Sequence, residues 1–241
     1  MSGAQVPASA PALQALAEDA WLVGFGDSVD TATLTRVHAL AARLDRERLP
    51  GVTDLVPAYS SLGVFFDLDV VGADAVARWL QAALDRDDDQ PRPPAGRVVD
   101  IPVSYGGRFG PDLDDAAREL GLDADTLAHR HASVVYTVAM IGFAPGFPYL
   151  SGLPATLALP RLATPRTRIP AGSVAIGGHQ TGIYPRDSPG GWRILGRTPL
   201  VLFDPSLEAP ALLAPGDRVR FRAIDADTFE RLAGRRTGAG E

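Results

Sequence analysis

Apolar residues line up on one helical face across residues 30–48, where Leu34, Val37, His38, Ala41 and Leu44 share a stripe. Asp30 or Thr31 stands at the position a cap requires. A second stripe runs through Val76, Leu80 and Leu84 in residues 73–84. Around these helices lie short apolar runs without helical period. Residues 20–25 (AWLVGF), 53–59, 62–68 and 97–105 (RVVDIPVSY) read as strands, with a Ser-Ser turn between the second and third. The order β-α-β-β-α-β is the split βαβ, ferredoxin-like pattern. Residues 85–96 are charged, then proline-rich, and read as a linker or exposed loop.

The pattern changes after residue 105. One short helix (DLDDAAREL) starts near Gly110-Pro111-Asp112 and stops at Gly121. Another starts at Asp123 or Asp125 and runs through His131. Beyond it come short β runs at 134–141, 173–176, 194–195, 200–203 and 218–222, separated by Gly/Pro turns. Many short strands between such turns predict a barrel or sandwich. The segment after Leu232 is rich in Gly and Arg and reads as frayed.

At 241 residues the chain has room for one large domain or two small ones, and 46% hydrophobic content suffices for a core. The net charge of −6 argues against nucleic acid as a partner. With no cysteine there is no thiol nucleophile, disulfide or cysteine–zinc site, which fits a reducing cytoplasm. All 23 basic residues are arginine. Schiff-base chemistry, a Walker lysine and a biotinylated lysine are therefore all excluded. The first twenty residues carry no basic charge and no continuous apolar run, so they read as a tail and not as a signal peptide. No stretch approaches the ~20 apolar residues that span a membrane.

Residues 142–204 hold ten of the 25 glycines, nine of the 21 prolines, and six arginines against two aspartates. A rigid, basic loop surface on an acidic protein suggests an anionic ligand. Arg166 and Arg168 alternate between two prolines; the pair suits bidentate binding of carboxylate or phosphate, and equally a solvated edge strand. Gln180, Thr181, Tyr184 and Ser188 stand among glycines, including Gly190 and Gly191 before Trp192. Neutral donors and backbone N–H groups there suit a developing oxyanion. Phe143, Phe147 and Tyr149 sit on a loop stiffened by Pro145, Gly146 and Pro148. It reads equally as a buried aromatic corner and as a surface that excludes water or binds a partner. Ser173 and Ser188 lack the surroundings of an activated nucleophile. His129 and His131 are two apart on a helix and diverge, so no metal site is expected; His131 is the candidate for proton transfer or hydrogen-bond donation. Gly24-Phe25-Gly26 lacks the third glycine of a dinucleotide fingerprint.

Taken together, the runs YGG (105–107), FGPDL (109–113), GFAPGFPYL (142–150), PRTRIPAGSVAI (165–176), QTGIYP (180–185), SPGGW (188–192) and GRTP (196–199) resemble the allophanate hydrolase subunit 1 family, also called the KipI family or the family of B-type 5-oxoprolinase subunits. FGD (25–27), RVHAL and VPAYSSL extend the resemblance over nearly all of residues 20–222. It implies an α+β protein: an N-terminal ferredoxin-like α/β sandwich at 20–96 and a C-terminal cyclophilin-like β-barrel at 97–232, with disordered tails at 1–19 and 233–241.

The resemblance also implies a function. The chain would be one component of an ATP-dependent 5-oxoprolinase, acting with a carboxyltransferase-like protein, subunit 2 (the C-type component), and with a LamB/YcsF-type protein (the A-type component). ATP would bind on this chain or on a partner, with no biotin here. In that reading Arg166 and Arg168 hold phosphate or substrate carboxylate, Gln180 and Thr181 stabilise the oxyanion, and Phe147 and Tyr149 exclude water. Two alternatives share the same motifs: a KipI-type inhibitor of a sensor histidine kinase, and a carboxyltransferase-like component of urea metabolism.

Overall fold

The computed structural model describes residues 10–86 and 96–237, and the chain divides into two compact units at residues 95 and 96. The first unit contains β1 (Ala12–Ala17), β2 (Ala20–Gly24), α1 (Thr31–Arg46), β3 (Val52–Pro57), β4 (Ser61–Phe66) and α2 (Ala73–Leu84). Its antiparallel sheet has the order β1-β2-β4-β3. Val23, Leu62, Val64 and Phe66 from the sheet pack with Val37, Leu40 and Leu44 of α1 and with Val76 and Leu80 of α2. Both helical stripes are where the periodicity put them. Asp30 caps α1 as expected, its Oδ1 accepting the Thr33 N–H at 2.7 Å.

The sandwich is assembled in a different chain order from the one expected. The strand at 97–105 lies in the other unit, and the fourth place in the sheet is taken by β1, which pairs antiparallel with β2. The edge strand thus precedes the unit instead of following α2. Residues 12–17, expected within a disordered tail, are ordered by that pairing. Their own pattern is a poor signal, because only Leu13 reaches the core and most of the strand is exposed. Residues 1–9, and most of the expected linker (87–95), lie outside the described residues.

The second unit contains β5 (Val98–Tyr105), α3 (Leu113–Glu119), α4 (Ala124–Ala132), β6 (Val135–Ile141), β7 (Pro148–Ser151), β8 (Arg166–Ile169), β9 (Ser173–Gly177), β10 (Gln180–Ile183), β11 (Ser188–Gly190), β12 (Arg193–Arg197), β13 (Arg218–Ala223) and α5 (Ala226–Thr237). Seven strands close a barrel in the order β10-β7-β6-β13-β5-β12-β9, and β9 pairs with β10 to shut it. Strand alternation fills the interior with Ile101, Val103, Tyr136, Val138, Leu150, Val174, Ile176, Ile183, Leu195, Val219 and Phe221. Leu113 and Ala116 of α3 and Leu127 of α4 join that core. β8 and β11 pair separately as a two-stranded ribbon.

Three local expectations change here. Residues 200–203 form no strand, only a single bridge between Phe203 and Ala211. The glycine-rich 177–185 segment is half strand: β9 and β10 form a hairpin through Gly178, at φ 64°, and His179. The expected tail at 233–241 is helical as far as Thr237, and 238–241 lie outside the described residues. Among the described residues no helix is long and apolar enough to cross a membrane.

Candidate functional site

The Pro/Gly-rich motifs converge on the outside of the barrel. Ala144, Phe147, Ile169, Ala175, Tyr184, Trp192 and Ile194 form a cluster apart from the interior core, with Tyr149 packed against it. Ala175, Ile194 and Tyr149 are neighbours in sequence of the inward-facing Val174, Leu195 and Leu150, so strand alternation puts them on the outer face. The rings pack edge to face: Phe147 stands 5.1 Å from Tyr184 and 5.7 Å from Trp192, at interplanar angles of 86° and 81°.

This layer explains the glycines. A Cβ on Gly177 would lie 2.5 Å from the Trp192 indole, one on Gly182 would lie 3.1 Å from it, and one on Gly190 would lie 2.4 Å from Tyr184 Oη. These positions make room for aromatic rings instead of bringing backbone N–H groups to a ligand. Burial pushes the Tyr184 pKa up to about 12, opposed by the Arg161 charge and by the backbone N–H of Trp192, which the phenol oxygen accepts. Gly146, at φ 77° under Phe203, lets the 142–147 turn close beneath Pro145. Phe147 is buried, whereas Phe143 is 60% exposed and holds φ 65°, the one positive φ outside glycine among the described residues. A bulky residue in that region costs about 1–3 kcal/mol.

The arginines expected to face a ligand are bound to carboxylates. Arg166 Nη1 and Nη2 donate to Asp112 Oδ2 and Oδ1 at 2.9 and 2.6 Å, and Asp112 Oδ2 also accepts the Ile194 N–H at 2.7 Å. Arg168 Nε donates to Asp187 Oδ2 at 2.7 Å. The Ala171 N–H, together with Arg168, holds the Asp187 carboxyl below its usual pKa. The two serines tie turns: Ser173 Oγ donates to the Pro170 carbonyl and Ser188 Oγ to that of Arg186. Gly191 lies beside Leu162 and Pro165. Sequence reading took Asp112 only for a helix start; its signal was an acid embedded in the FGPDL motif with no helical stripe to serve. Gln180, half-buried at the head of β10, has no side-chain hydrogen bond among the described residues.

His131 and Thr181 face the barrel interior, fully buried. Thr181 Oγ1 donates to the Ala175 carbonyl at 3.0 Å, so it accepts the proton of His131 Nε2 at 2.9 Å. His131 Nδ1 then accepts from the Tyr105 hydroxyl at 2.8 Å. The ring stacks on Phe221 at 4.8 Å. Every polar atom of this chain of groups is used with His131 neutral. Burial lowers its pKa to about 3 and raises that of Tyr105 well above 10. Among the described residues no group of three or more His, Asp or Glu is placed to hold a metal.

Residues 11–213 match the family model of the carboxyltransferase domain, subdomain C and D. The chain belongs to that family. It is 39% identical over 232 residues to the B subunit of 5-oxoprolinase from Bacillus subtilis, covering 90% of this chain and 94% of that one. Among solved structures, TTHA0988 superposes with a TM-score of 0.75 at 40% identity over 86% of this chain, which spans only 40% of TTHA0988. Kluyveromyces lactis urea carboxylase shares the fold, with a TM-score of 0.67 at 20% identity over 94% of this chain and 23% of that one. The carboxyltransferase-type motifs therefore mark a family, and in this member they are spent largely on packing the outer aromatic layer.

The state of His131 has a pH consequence. Its folded pKa of about 3 lies below the unfolded value near 6.5, so unfolding takes up a proton. The stability this group contributes is complete above pH 6.5 and falls as pH drops toward 3, by up to about 1.4 kcal/mol per pH unit. NMR titration of the ring is expected to show neutral His131 down to pH 5; protonation near pH 6.5 would contradict the buried network.

Proposed function

We propose that this chain is the B-type subunit of an ATP-dependent 5-oxoprolinase, which opens the lactam of 5-oxoproline with water to give glutamate, and that it acts only beside partner chains. The observation that carries this reading is the identity with the Bacillus subtilis protein named as that subunit, over nearly the full length of both. The partners are a carboxyltransferase-like protein, subunit 2 (the C-type component), and a LamB/YcsF-type protein (the A-type component), and the complex works in the cytoplasm.

A lactam is a stable amide. Its opening needs an activated carbonyl, a held oxyanion and proton transfer to the departing nitrogen. Here the polar atoms of His131 and Thr181 are used inside the barrel, and the Ser173 and Ser188 hydroxyls in turns. Arg166 and Arg168 carry Asp112 and Asp187. That distribution supports an active site completed by a partner, with the Gln180 carboxamide as this chain's neutral donor to the lactam oxygen. Two observations favour ATP on a partner over ATP on this chain: the chain has no lysine, and Arg166 and Arg168 are paired with carboxylates. We therefore place the ATP site on a partner.

The partner-facing surface on this reading is the aromatic layer, with Phe143 at its tip. An exposed aromatic in a costly backbone conformation does little for the isolated fold, and aromatics are enriched among interface anchors. Its ring lies 5.3 Å from Phe147, so the anchor has a rigid base.

Two outcomes are expected. Release of ADP dependent on 5-oxoproline appears only when this chain is mixed with both partners; no turnover from a verified complex overturns the subunit reading. Phe143→Gly leaves the isolated chain's stability within about 1 kcal/mol of wild type, because relief of the positive φ offsets the lost ring contacts. The same variant weakens assembly about tenfold or more by titration calorimetry with the C-type partner; unchanged assembly would remove Phe143 from the interface.

A further inference from the structure

The end of the barrel where β9 begins and β12 stops carries a groove of about 440 Å³ that none of the steps above uses. Its volume is in the range of small-molecule sites. Gly172 and Arg197 line one side, Leu200 and Val201 continue it, and Phe109 and Phe229 form the other. The two phenylalanine rings pack at 4.2 Å, giving that side an apolar face. Phe109 comes from the FGPDL motif, Arg197 from GRTP and Gly172 from PRTRIPAGSVAI, so three separated motifs meet here.

The charges decide what fits. Arg108 lies over the Phe109 ring at 4.7 Å and pairs with Glu230 of α5, so those two cancel. Arg197 is half-buried and fixed at one end, its Nε donating to the Ala171 carbonyl at 2.7 Å. Its Nη1 and Nη2 take no hydrogen bond or ion pair among the described residues. Asp187 lies close enough to feel its charge, but that carboxylate is already held by the Ala171 N–H and Arg168. Among the described residues the groove is left with one unneutralised cation, whose planar pair of donors matches one carboxylate.

We propose that this groove binds a small monocarboxylate with a compact body, its carboxylate on Nη1 and Nη2 of Arg197 and its body against Phe109 and Leu200. On the 5-oxoprolinase reading, that carboxylate is the one of 5-oxoproline, and the lactam is held at the barrel end for a partner to complete the site. A nucleoside triphosphate would bring several negative charges where the described residues offer one spare positive charge, and is matched less well than a monocarboxylate.

The test is titration calorimetry on the full chain without partners or ATP, using 5-oxoproline, cyclopentanecarboxylate and 2-pyrrolidinone, which lacks the carboxylate. 5-Oxoproline is expected to bind at least about tenfold tighter than 2-pyrrolidinone, the worth of a charge-assisted pair. Arg197→Gln should erase that difference. Since Arg197 also ties the Ala171 turn, Val201→Asp serves as a second variant: it keeps the tie, adds a carboxylate to the groove, and should weaken both carboxylates while sparing 2-pyrrolidinone. Circular dichroism checks that both variants are folded. Binding of cyclopentanecarboxylate but not of 5-oxoproline upholds the groove and counts against the subunit reading; binding of 5-oxoproline here with no ADP release from the verified complex likewise upholds the groove while overturning the subunit reading. Binding of 2-pyrrolidinone as tight as that of the carboxylates, failure of both carboxylates to bind, insensitivity to both variants, or displacement by ATP overturns the proposal.

Discussion

Three segments distant in sequence meet on the carboxylate of Asp112. It accepts both terminal nitrogens of Arg166 and the backbone N–H of Ile194, and is nearly buried while doing so. The pair fastens β8, and with it the β8–β11 ribbon, beside the head of α3 and the start of β12. Ile169 of β8 then closes over Phe147, Tyr184 and Trp192. Losing one partner of such a pair strands a charge and typically costs about 3–5 kcal/mol, far more than a surface ion pair is worth. The outer aromatic layer, the turn before β9 and the groove beyond it all depend on the ribbon being held there.

What could be read from the chain alone follows from the range of each interaction. The two amphipathic helices of the first unit, the caps at Asp30 and Asp123 and the stop at Gly121 are local, and all are found where the sequence placed them. Strand and turn signals left the second unit as a barrel or a sandwich, and the family resemblance supplied the α+β class and the barrel that the structure has. The sandwich's chain order did not, because β1 has little apolar alternation and owes its order to pairing with β2. β7, β10 and β11 were hidden by their glycines and prolines, since the residues that usually break strands here admit an indole and a phenol.

The site shows the same division. Ten glycines in 63 residues pointed to loop geometry, yet Gly177, Gly182, Gly190 and Gly196 lie in strands, and a glycine next to a ligand and a glycine under a tryptophan look alike in sequence. Likewise an arginine's partner is a tertiary fact. Arg166 and Arg168 were the conspicuous cations and are tied, whereas Arg197, in the plain-looking GRTP run, keeps its fork available. His131, the candidate for proton transfer or hydrogen-bond donation, has two buried hydroxyls as its partners and satisfies them as a neutral ring. The described residues thus present a rigid frame, an aromatic surface and, in the groove, an arginine fork free at its outer end.

The central claim is that the conspicuous arginine of the strand motif, Arg166, holds the fold through its pair with Asp112. A double-mutant cycle on Asp112→Ala and Arg166→Ala, read by chemical denaturation of the chain, tests it most directly. Each single variant is expected to lose about 3–5 kcal/mol, with a coupling energy of at least about 1.5 kcal/mol. Coupling near zero, with Arg166→Ala stable yet inactive in the reconstituted complex, would instead make Arg166 a ligand-binding residue and contradict the account.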